Sequence, residues 1–313
     1  MILTLCSLVA FADFSLNYNL QRPIMVDEPL IDIKQGRHLL QELCCQRFVP
    51  NGSLLGGEQP KVMVLTGPNA SGKSIYMKQI ALIVYMAHLG CFVPAMAGTC
   101  IGLTTGIFTR IQTREATCKQ SSAFRTDLLQ VKKILACADK SSMIFIDEFG
   151  KGTLPEDGIA LFSSLINSLA SRGAEAPRTI AITHFHEIYQ QELLAPELPI
   201  QWRMMECVDS TGDSPDFTFL FRVIEGKAGH SLGLECARAA GLPTTIIERA
   251  RELREMFGSG MSAAAIRYAS IDKRFDQACH ALVKLLVREE HDAEVISQMK
   301  TLAMEIAETT NPI

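Results

Sequence analysis

No CxxC pair and no His/Cys cluster at zinc-ligand spacing occurs in the sequence, although it holds ten cysteines. Cys44 and Cys45 are adjacent and the others are scattered singly, so they are read as reduced thiols of a cytosolic or nuclear protein. Positive charge is not in excess. A formal net charge of −4 gives no general footprint for nucleic acid, so any DNA contact must be local or supplied from elsewhere. No apolar run reaches the roughly 20 residues of a bilayer span, and no membrane partner is expected. Internal repeats and low-complexity tracts are missing too.

The opening MILTLCSLVAFA has the small-residue end of a secretory signal but no basic start. Leu5, Leu8, Val9, Ala12 and Leu16 recur at spacings of three and four, which predicts one face of an amphipathic helix, the end of a longer one. The sequons at Asn51 and Asn69 carry no weight in a chain that is not secreted.

What is present is an ordinary globular composition: 313 residues, 48% hydrophobic and 20% charged, enough for one large domain with an appendage or two modest ones. Residues 22–40 read as short strands with turns, and NGSLLGGEQP (51–60) as a loop. Apolar strands then alternate with amphipathic helices: KVMVLTG with a helix from Ser74, SSMIFIDE with a helix from Pro155, then RTIAITH and DFTFLFRVIEG. That alternation predicts an α/β domain whose sheet is covered on both faces. From about Leu242 the pattern is helical; Phe275, Cys279, Leu282 and Leu286 form a seam, and GSGMSAAA (258–265) is the expected linker.

Residues 67–74, GPNASGKS, fit the spacing G-x-x-x-x-G-K-S/T directly after an apolar strand. Gly67 and Gly72 let the backbone curl so that the N–H groups of Pro68's neighbours Asn69, Ala70 and Ser71 face phosphate oxygens, with a helix start adding its positive end. Lys73 would reach the β- and γ-phosphates, and Ser74 would offer its hydroxyl to Mg²⁺. The strand MIFI runs straight into Asp147 and Glu148. Asp147 would hold the Mg²⁺ shell, and Glu148 would orient and deprotonate an attacking water. A P-loop NTPase is the expected class, with a mixed sheet flanked by helices and a C-terminal helical appendage. NKxD is absent, which disfavours a GTP switch. The transporter branch of the ABC-type ATPases would need an LSGGQ signature, also absent.

The flanking residues decide between P-loop families. DEFGKGT, AITHFHE (181–187), AGHSLGLECARAAGLPTTIIERA (228–250), RIQ (110–112), FVPA (92–95), GRH (36–38) and FVPN (48–51) together resemble the MutS family ATPase domain over about residues 10–257. SGKSIY, GRHLLQELC and DLLQV resemble its meiotic eukaryotic branch, the fifth homologue in particular. The resemblance implies an ATP- and Mg²⁺-dependent ATPase of the ABC type, paired with a second MutS homologue, a heterodimer being the expectation for the meiotic branch.

By residue, the resemblance implies that Ser122 of QSSAF reaches the partner's γ-phosphate, with Phe124 as anchor. That stretch departs from the family's STF pattern through Gln120, Ala123 and Arg125. It also implies that His184 senses the γ-phosphate, the alternative being a strand-end histidine in a turn. Phe48 and Phe221 would stack on adenine, or else be core residues of their strands; Asn69 would belong to the phosphate shell. Residues 1–60 would be the end of the lever helix with the first strands, 61–257 the ATPase core, and 262–313 a dimerising helical tail. DNA would be gripped mainly by family regions that this chain lacks, in a nuclear protein of meiotic recombination. Mismatch repair, and a catalytically weak partner-binding module suggested by QSSAF, are the alternatives.

Overall fold

The computed structural model describes residues 2–111, 123–209, 217–229 and 232–258, together with helical positions at 281, 297–298 and 300–304. In chain order the elements are α1 (Ile2–Asn17), β1 (Ile24–Val26), β2 (Leu30–Gly36), α2 (Leu39–Cys44), β3 (Asn51–Gly56), β4 (Val62–Thr66), α3 (Lys73–His88), β5 (Cys100–Gly102) and β6 (Ile107–Arg110). Then follow α4 (Ala123–Cys137), β7 (Met143–Asp147), α5 (Pro155–Ala170), β8 (Arg178–Ile182), α6 (Glu187–Gln190), β9 (Ile200–Asp209), β10 (Phe217–Glu225), α7 (Gly233–Ala239) and α8 (Thr244–Gly258). Two compact units divide at Cys236; the second contributes α8 and the later helical positions.

The first unit is mixed α/β. Six strands in the order β10-β9-β4-β8-β7-β6 form one sheet, parallel except for the β10–β9 edge pair. Four strands in the order β1-β5-β2-β3 form a smaller mixed sheet.

The apolar runs are continuous because both faces of the large sheet are covered. Successive β4 residues supply opposite cores. Met63 and Leu65 join Met77, Ile80 and Ile83 of α3 and, from the small sheet, Ile31, Ile33 and Leu55. Val62 and Val64 join Val131 and Ile134 of α4 and Phe162, Ile166 and Leu169 of α5.

Where NGSLLGGEQP was expected to be a loop, Asn51–Gly56 is strand β3, paired antiparallel with β2 through Leu30↔Gly56 and Ile33↔Ser53. Its Gly and Asn residues are poor strand formers, but pairing with β2 and burial of Leu55 override local propensity. The N-terminal helix forms as the spacing predicts, yet Leu5, Leu8, Val9 and Leu16 lie exposed. Its better-covered side carries Phe11, Phe14 and Tyr18, with the Phe14 and Tyr18 rings 4.6 Å apart. The helical seam expected at 275–286, like most of 262–313, lies outside the described residues. Every cysteine among the described residues is a free thiol, and no described helix is long and apolar enough to cross a membrane.

The two sheets are tied by Arg178, which is fully buried at the start of β8. Its guanidinium donates to the carbonyls of Leu30 (3.3 Å), Gly102 (3.3 Å), Leu103 (3.2 Å) and Ser141 (2.7 Å) and to Thr104 Oγ1 (3.0 Å). Burial pushes its pKa down to about 10, with Asp139 opposing. A lysine offers a point charge in place of the planar fork and would strand several of these carbonyls. Arg178→Lys is therefore expected to cost about 2 kcal/mol or more, read as a lower urea midpoint at unchanged slope. An unaltered midpoint would mean that the apolar layer alone holds the sheets together.

Candidate functional site

Strands β4, β8 and β7 lie side by side and parallel, with Leu65 level with Ile182 and Ile182 level with Asp147. Their carboxyl ends therefore open at one edge, where loops are free to present side chains. Residues 67–72 turn there from β4 into α3 with positive φ at Gly67 (144°), Ala70 (63°) and Gly72 (98°). A Cβ on Gly67 would sit 3.1 Å from Met205 Cβ, a tight approach at a φ that a side chain would strain.

Gly67, Pro68 and Ser71 are buried, whereas Asn69 and Ala70 form the exposed tip. The Ser71 hydroxyl donates to Pro68 O at 2.7 Å and stiffens the turn. Gly72 caps α3 without a side-chain hydrogen bond, which leaves the helix's first N–H groups without an intrahelical acceptor.

Lys73 is buried, and its Nζ donates to the carbonyls of Gly67 and Pro68, each at 2.8 Å. Burial holds its pKa below the usual lysine value, opposed by the charges of Glu148 and Asp147. Ser74 Oγ donates to Asp147 Oδ1 at 3.3 Å. Burial raises the Asp147 carboxyl above the ordinary range, the Ser74 hydrogen bond opposing and the Glu148 charge adding.

Glu148 takes a left-handed φ of 52°, and its N–H donates to Ile182 O at 3.0 Å across to β8. That turn points its carboxylate to Lys151, with Nζ–Oε2 at 2.8 Å. Burial pushes Glu148 up, but the Lys151 hydrogen bond and charge, with His184 and Lys73, outweigh it and leave the carboxyl below its usual value. His184 follows β8; burial lowers its pKa despite the Glu148 charge, and its buried Nδ1 has no hydrogen-bond partner among the described residues. Chemically, this edge offers oriented N–H donors and a lysine for an anion. It also offers a hydroxyl–carboxylate pair for a hard cation, and a carboxylate beside a neutral imidazole to accept a proton.

Beside the turn lies a cleft of about 210 Å³, and both Phe48 and Phe221 line it, with Ala70, Gly72, Ile75 and Tyr76. The alternative of two strand-core residues does not describe them. Phe48 is in the irregular segment before β3, and Phe221, on β10, is 46% exposed. Ser122 lies outside the described residues; Phe124, at the start of α4, comes close to Gly152 in the loop after Glu148.

Several residues that shape this edge were not anticipated. Arg110, at the end of β6, is buried and donates to Asp147 O and to the Asp127 carboxylate on α4, and it lies over the Phe149 ring. It ties α4, β6 and β7 at the level of Asp147. In the sequence it is the first residue of RIQ, part of the family resemblance, with nothing to mark this contact. Lys151 follows Glu148 by three residues, a spacing that reads as a turn salt bridge only once Glu148 turns back. Asn51 and Gln79 also wall the cleft.

The model of MutS domain V matches residues 63–257, more than half of the chain. The chain belongs to the MutS family. MutS protein homolog 5 of Saccharomyces cerevisiae is 39% identical over 279 residues, 81% of this chain and 31% of that protein. The DNA mismatch repair protein MutS of Thermodesulfovibrio yellowstonii is 39% identical over 253 residues, 79% of this chain and 29% of its own length. That of Carboxydothermus hydrogenoformans is 36% identical over 252 residues, 80% and 29%. The chain thus spans under a third of the length of these curated relatives. The family expected from the motifs is the one found.

Replacing Lys151 by methionine removes the cation that lowers Glu148. Its carboxyl is expected to titrate at higher pH in a carbon-detected NMR titration; an unmoved midpoint would discard the pairing in solution.

Proposed function

We propose that this chain is the ATP-hydrolysing module of a MutS-family DNA clamp, a P-loop NTPase of the ABC type. The observation that carries the proposal is the convergence of Lys73, Ser74, Asp147, Glu148 and His184 at the ends of three adjacent parallel strands. In this reading the N–H groups of residues 67–72 and the Lys73 ammonium cradle the ATP phosphates; Lys73 must first leave the carbonyls of Gly67 and Pro68. The buried carboxylate of Asp147, in contact with the Ser74 hydroxyl, is a donor set of hard oxygens that fits Mg²⁺. Bound there, Mg²⁺ would neutralise charge on the phosphates. Glu148, ionised at neutral pH, orients a water and takes its proton as the water oxygen bonds to the γ-phosphorus and the bond to ADP breaks. His184 contacts the γ-phosphate as a neutral imidazole, and Phe48 and Phe221 hold adenine in the cleft.

The domain limits proposed are 1–60 for the lever end and first strands, 61–257 for the ATPase core and 262–313 for a dimerising tail. Ser122 is assigned to a partner subunit's nucleotide, in a heterodimer with a second MutS homologue. The whole protein is assigned to crossover formation in meiotic recombination in the nucleus, with DNA held mainly by parts outside this chain. Supporting the meiotic branch is the yeast homolog 5 match, which extends over more residues than the bacterial ones. The names of the bacterial relatives favour mismatch repair as a second reading. Tight binding of mispaired duplex by the full-length protein would decide for it.

The test is steady-state ATP turnover against protein concentration for wild type and Glu148→Ala. Turnover that rises faster than linearly, and that Glu148→Ala abolishes while nucleotide binding persists, is the expected result. Absence of ATP binding in the wild type would reject the reading; binding without turnover at any concentration would place the failure at the Ser122 segment.

A further inference from the structure

Strand β10 is irregular where it borders the cleft. Phe219 pairs with Cys207 and Val223 with Met205, so β10 advances four residues while β9 advances two. Within that bulge Phe221 has a φ of 54°, a left-handed conformation that is strained for a residue with a large side chain. Such a conformation persists only where its surroundings over-determine it. Here one side chain does so. Asn51 Nδ2 donates to Phe221 O at 2.9 Å, and Val223 N–H donates to Asn51 Oδ1 at 2.8 Å, so the amide bridges the distorted stretch in place of the missing sheet bonds.

The same Nδ2 donates to Val49 O at 3.2 Å, next to Phe48 on the opposite wall. A single buried amide therefore holds the backbone of both aromatic walls. The main chain of Asn51 is in turn tied to the helix that starts at Lys73: Gln79 Nε2, itself buried, donates to the main-chain carbonyl of Asn51 at 3.0 Å. Room for the Gln79 amide exists because residue 36 is glycine; a Cβ there would lie 2.5 Å from Nε2. GRH, FVPN, the α3 segment and FLFRV, far apart in sequence, meet at this residue.

We propose that Asn51 is a positioning residue for a purine base, setting the separation of Phe48 and Phe221 and fixing it relative to the phosphate-binding turn. The proposal rests on the nucleotide reading above and goes beyond it. Asn51 acts through the two rings, so its loss should weaken recognition of the base and spare recognition of the phosphates.

The experiment measures binding of ATP and of inorganic tripolyphosphate, each with Mg²⁺, to the full 313-residue chain and to its Asn51→Ala, Phe221→Ala and double variants. Asn51→Ala is expected to weaken ATP binding by about tenfold, the worth of one base–aromatic stack, and to leave tripolyphosphate unchanged. The double variant is expected to be little weaker than Phe221→Ala alone, because both changes remove the same wall. Equal losses for both ligands, no loss for either, or additive effects would overturn the positioning role. Asn51→Ser, which keeps a polar atom at the buried position, serves if the alanine variant does not fold; unfolding of both would overturn the proposal by making Asn51 a fold residue. A wild-type chain that binds neither ligand would instead refute the nucleotide reading itself.

Discussion

Everything at the candidate site depends on the parallel register of three strands. Because β4, β8 and β7 run in one direction and are level at Leu65, Ile182 and Asp147, a lysine at residue 73, acids at 147 and 148 and a histidine at 184 meet at one edge. A slip of one residue in β7 would exchange the faces of Phe145 and Ile146 between the two cores, so the hydrophobic pattern enforces the register. The apolar layers thereby set the position of the polar groups at this edge.

Burial is the common cause of the site's electrostatics. It disfavours the charged forms of Lys73, Asp147 and His184 together, and the cost is partly relieved by the Glu148 charge for Lys73 and His184 and by the Ser74 hydrogen bond for Asp147. Glu148 departs from that pattern because Lys151 is close enough to reverse the sign. Two adjacent acids consequently differ: one is held up by its surroundings and the other held down.

The phosphate-type turn was legible in the sequence because its requirements are local: glycines at two positive-φ positions, a strand before and a helix after. Asp147 and Glu148 were legible for the same reason, as a carboxylate pair ending an apolar run. The contacts between Asn51 and Phe221, or between Arg110 and Asp127, leave no such trace, since neither side chain's neighbours in sequence reveal its partner in space. Strand β3 was hidden by turn-forming residues whose pairing with β2 is decided by tertiary contacts. The N-terminal helix shows the converse limit: spacing gave its periodicity, while the side that is covered was set by Phe11, Phe14 and Tyr18.

Arg178 has a consequence for how this chain can vary. Four of its five acceptors are backbone carbonyls, at residues 30, 102, 103 and 141. A carbonyl is present whatever side chain occupies the position, so residues 103 and 141 can change and leave the tie between the sheets in place so long as the backbone keeps its path. The burden falls on two positions: residue 178, and residue 102, where a Cβ would lie 2.1 Å from Glu28 O.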